Sequence, residues 1–178
     1  RGIQELTIRN LAHEIGISDP AIYRHFASKT DILLGVLDLL EQETVGRRRQ
    51  TGQAGQAEGG GNEDLVSHFR ALFERLSSAP ELSAVIFADE FFLNEEPLVR
   101  RVRLLMDRTQ AEVELLVERE QKADKLRSDV LPEELATMLI GAVRLLVRRW
   151  HIGGHTFGLK DEGLKLIQAF MTLADPDR

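Results

Sequence analysis

Apolar residues in this chain recur at three- and four-residue intervals almost from end to end, and no stretch alternates strictly between apolar and polar. That periodicity fits one face of successive α-helices and leaves no place for a half-buried strand. The expected fold class is therefore all-α. With 178 residues, 43% of them hydrophobic, such helices can bury a core without covalent staples. The chain has no cysteine, which excludes disulfides, zinc–thiolate sites and cysteine nucleophiles. The same absence fits a reducing cytoplasm, the expected location. No apolar run reaches the roughly 20 residues that a membrane span requires, so no membrane partner is expected, and neither is a secretory leader.

Local stop and start signals divide the helical pattern. In "LTIRNLAHEIG", Thr7 is the expected N-cap, Ile8, Leu11, Ala12 and Ile15 form one apolar face, and Gly16 is the stop. "ISDPAIYRHF" offers Ser18 as the next cap, with Asp19 and Pro20 in a first turn where a missing N–H matters least. A third helix begins at Ser28, with Asp31 three residues on, and reaches the arginines at 47–49. At 1.5 Å per residue it spans about 33 Å, the length of a connecting rod. "TGQAGQAEGGGN", residues 51–62, is glycine-rich and aperiodic, and a domain boundary is expected there. Further helices are expected over 63–79, from Pro97 to about Lys122, from Pro132 to about His151, and from roughly Lys160 to Ala174.

The first two helices meet across a turn of three to four residues at Gly16, so they must cross steeply and need small or apolar residues at the crossing. Ala12 is small there, and Ile22 plugs the second helix onto the first. This is a helix-turn-helix arrangement, in which the second helix presents its outer face to base edges. Ile22 and Phe26 point inward, leaving Asp19, Pro20, Ala21, Tyr23, Arg24 and His25 outside. Pro20 and Ala21 let the helix start approach bases and touch thymine methyls. Asp19 can accept from a cytosine amino group, and Arg9 can reach a guanine edge. Tyr23 and Lys29 have the reach for phosphates, and the helix N-termini capped by Thr7 and Ser18 add partial positive charge. A net charge of −6 argues weakly against nucleic acid, but the first 50 residues hold seven Lys/Arg against seven Asp/Glu, so the acidic excess lies entirely beyond them.

These residues resemble the DNA-binding region of the tetracycline-repressor (TetR) family of bacterial transcriptional regulators. The likeness rests on Thr7, Leu11–Ala12, Gly16–Ile17–Ser18, Tyr23–Arg24–His25–Phe26 and Ser28–Lys29, about 40 residues in all. It implies that Thr7, Tyr23 and Lys29 hold phosphates while Arg9, Asp19, Pro20, Ala21 and Arg24 face bases. It also implies an N-terminal helix-turn-helix head on a larger helical bundle that binds a ligand and dimerises. The family's first helix is not represented, so the head is expected to be incomplete. The expected organisation is a head with its connecting helix over 1–50, a loop over 51–62, and an effector-binding and dimerisation domain over 63–178.

In the body, Phe69, Phe73, Phe87, Phe91, Phe92, Met106, Thr109 and Met138 are candidates to line an effector cavity, as the resemblance implies. Their helical spacing alone fits plain core equally well. The last two helices are apolar over more than one face, so Val143, Leu146, Trp150, Leu164, Ile167, Phe170 and Met171 are candidates for a subunit interface. Two heads on a twofold axis would read a palindrome with half-sites roughly 34–36 Å apart. His151 and His155 stand four apart, a spacing metal sites use, but Gly153–Gly154 between them breaks the helix, so no metal or other cofactor is expected.

The expected function is a ligand-responsive regulator, in the first place a repressor. It would be a homodimer on a double-stranded DNA operator, released by a small apolar or amphipathic effector, and not an enzyme. The competing readings are a helical enzyme or carrier with an incidental helix-turn-helix, and an adaptor that no longer binds DNA. Against the first, the sequence has no glycine-rich phosphate loop and no G-x-S-x-G elbow.

Overall fold

A computed structural model describes residues 28, 30–35, 37–38, 64–80, 83 and 95–177. The fold is all-α, with no strand among the described residues. Four complete helices are described: α1, Leu65–Ser78; α2, Glu96–Lys122; α3, Pro132–Ile152; and α4, Leu159–Leu173. The chain divides into two compact units, one of Arg1–Gln56 with Ala84–Leu105 and the other of Ala57–Ser83 with Met106–Arg178. The division falls within α2.

In the first unit, residues 30–35 and 37–38 are helical. Ser28 caps this stretch as its sequence implies, its hydroxyl accepting from the Asp31 N–H at 3.1 Å. Ile32, Leu33 and Leu37 are buried, and so is Leu98 in the first turn of α2. Asp38 takes two bonds from Arg101, from Nε at 2.8 Å and from an Nη at 2.7 Å, a charge-assisted geometry that holds both side chains in place.

In the second unit the core follows from helix periodicity. α1 buries Leu65, Phe69, Phe73 and Leu76, spaced four, four and three, on one face. α4 lies against α1 and against α3. The approach of α1 to α4 is close because Gly163 has no side chain, and a Cβ there would collide with the Phe73 ring. Lys160 and Glu74 span the same pair of helices at 2.6 Å. The exposed carboxyl of Glu74 is held below the usual carboxylate range by the hydrogen bond and charge of Lys160.

Helix ends are fixed by local chemistry. Asp64 caps α1, its carboxylate accepting from the Ser67 N–H at 2.7 Å. Pro132 opens α3, and the Glu134 carboxylate reaches back to the Leu131 N–H at 3.2 Å. Between α2 and α3, Gln121 Nε2 donates to the carbonyls of Arg127 and Val130 at 2.8 and 2.9 Å. That side chain supplies donors to a turn with few backbone partners of its own. The Arg127 N–H donates to the Ala174 carbonyl at 2.7 Å, tying the same turn to the end of α4.

Candidate functional site

The expected DNA contacts, Thr7, Arg9, Ser18, Asp19, Pro20, Ala21, Tyr23, Arg24, His25 and Lys29, lie outside the described residues, as do Phe87, Phe91 and Phe92 of the expected cavity. The remaining candidates sit on α1, α2, α3 and α4, and the structure distributes them over three surroundings.

The first is core. Phe69 and Phe73 stand side by side with ring centroids 6.3 Å apart, both buried. Val143, Trp150 and Ile167, expected at an interface, are also buried within the chain itself. Trp150 is built into the turn that follows α3. Its indole N–H donates to the Phe157 carbonyl at 3.0 Å, and its ring lies 4.2 Å from that of His155, whose φ of 62° is left-handed. His151 Nδ1 meets the hydroxyl of fully buried Ser83 at 2.8 Å, and the two histidine rings meet edge-on at 5.7 Å. Among the described residues no three His, Asp or Glu side chains gather as metal ligands would.

The second is the exposed continuation of a face of α2 that is buried further along the helix. Val113 and Val117 of α2 are fully buried. Counting back by threes and fours from Val113 reaches Thr109 and Met106 on the same side of the helix. Both are exposed there, Met106 at 51%. α1 runs antiparallel to residues 112–120 of α2, Leu65 meeting Glu120 and His68 meeting Glu112. Glu120 is nearly buried, and its carboxylate faces the Leu65 N–H at 3.5 Å and Lys125 Nζ at 3.1 Å. One turn along α1, His68 Nδ1 stands 3.6 Å from Glu112. The apolar thioether of Met106 is thus exposed on a face of α2 whose continuation at Val113 and Val117 packs as core.

The third is a second apolar face on α3. Met138, expected in the cavity, is instead on the outer side of α3 at 56% exposure, in a row with Leu145 at 61% and Ile152 at 72%. Leu146, Leu164, Phe170 and Met171 are half-buried, and Leu173 at the end of α4 is 72% exposed. The sequence reading missed Leu131, Ile152 and Leu173 as surface apolar residues. The signal was the seven-residue spacing of Leu131, Met138, Leu145 and Ile152. Among the described residues no helix is long and apolar enough to cross a membrane.

Residues 1–36 match the family described as bacterial regulatory proteins, tetR family. Over 154 residues the chain is 24% identical to the nucleoid occlusion factor SlmA of Vibrio vulnificus, spanning 84% of this chain and 74% of that protein. Its fold is similar to that of the fatty acid degradation regulator FadR from Bacillus halodurans, with a TM-score of 0.79, 17% identity, and coverage of 95% and 86% of the two chains. It is similar also to the transcriptional regulator FadR from Bacillus subtilis in complex with stearoyl-CoA. There the TM-score is 0.76 and the identity 14%, over 96% of this chain and 90% of that one.

Proposed function

We propose that this chain is a transcriptional regulator of the TetR kind, whose family model its residues 1–36 match, and that it works as a homodimeric repressor released from a palindromic operator by a long-chain acyl ligand. The observation that carries the ligand class is the exposure of Met106 and Thr109 on the buried stripe of α2. A saturated chain would regain burial for Met106. The fold shared with a regulator that holds stearoyl-CoA supports the same class. Arg9, Asp19, Pro20, Ala21 and Arg24 would read bases, while Thr7, Tyr23 and Lys29 would hold phosphates, with Ser18 and His25 beside them. The second apolar face on α3 supports dimerisation, and a dimer suits a palindrome.

The test begins with selection of binding sites from random duplex DNA, with Tyr23→Ala and Lys29→Ala proteins run alongside. One enriched palindrome, weakened in both variants, is the expected result, and no enriched sequence from a folded dimer would overturn the reading. Stearoyl-CoA, stearate and free coenzyme A are then titrated against the bound operator. Release by the acyl forms, with none by free coenzyme A, is expected.

The sequence kinship with a nucleoid occlusion factor favours a second reading, a DNA-bound factor without a small effector. Operator binding indifferent to every acyl form would select it.

A further inference from the structure

We draw no further inference here: the strongest candidate, the side-chain cluster of Ser83, Trp150, His151 and His155 at the end of α3, is taken up by contacts among its own members and with the carbonyls of Pro80 and Phe157, and among the described residues no third His, Asp or Glu joins the two histidines as a metal ligand would.

Discussion

At the residue scale, two side chains give predictions of opposite character. Gly163 is required by packing, since any Cβ meets the Phe73 ring, and both lie in the core where α1 and α4 cross. Gly163→Ala would ordinarily favour a helix by about 1 kcal/mol. Here the overpacking, typically about 1–3 kcal/mol, outweighs it, and a net loss is expected in a thermal melt. Asp64 acts through charge. Its carboxyl is held below the usual range first by the Ser67 backbone N–H, then by the Ser67 hydroxyl and more weakly by Lys125 and Arg70. Because the folded carboxyl is the stronger acid, the cap's stabilisation is present in full above the unfolded pKa of about 3.9 and fades as pH falls through the folded value. Asp64→Ala is therefore expected to lose about 1 kcal/mol at neutral pH, with the gap to wild type closing below about pH 3.9. Asp64→Asn, which caps without titrating, should show no such convergence. Urea denaturation across pH reads both variants.

At the element scale, the ends of helices were legible and their faces were not. Proline at 132 and glycines at 153–154 bound α3, and the observed helix, Pro132–Ile152, matches the sequence reading to a residue. α2 ends at Lys122 as read, although no glycine follows it. Asp124 takes the left-handed position instead, at φ 54°, and the Lys125 N–H returns to the Glu120 carbonyl at 2.9 Å to close the turn. That conformation disfavours a β-carbon by about 1–2 kcal/mol, which a local side-chain bond from Asp only partly offsets. Asp124→Gly is accordingly expected to raise stability by about 1 kcal/mol, seen as a higher urea midpoint at unchanged slope. Faces are different because the two apolar stripes of α3 look alike in sequence. Val143 and Trp150 point to the subunit core and Met138 points away from it. Which stripe turns inward is decided by α4, through its contacts with α1 and α3, and those contacts are set by residues far away in the chain.

At the scale of the whole molecule, the division of the chain joins residues 84–105 to the first unit, a non-local grouping that no shift in composition along 51–62 carries. The resemblance of the first 36 residues to the tetR family model was legible in residues 7–29, where each residue type has a local reason. The exposure of Met106, on which the proposed effector site rests, was not legible, because in sequence it is spaced like a core methionine. If an acyl ligand at Met106 and Thr109 controls DNA binding, the two affinities must be coupled by one free energy. Moving an operator from 99% to 1% bound requires about 10⁴-fold preference of the ligand for the released state. The same factor must appear in reverse, so saturating operator DNA is expected to weaken stearoyl-CoA binding as strongly as stearoyl-CoA weakens operator binding. Isothermal titration of stearoyl-CoA into the protein, with and without the selected duplex, reads one side of this equality, and a DNA titration at fixed stearoyl-CoA reads the other. Met106→Glu places a charge where the chain would lie, and is expected to raise the stearoyl-CoA dissociation constant by at least about tenfold. Acyl binding of equal strength with and without DNA would break the link, because a ligand with no preference between two states cannot move the balance between them.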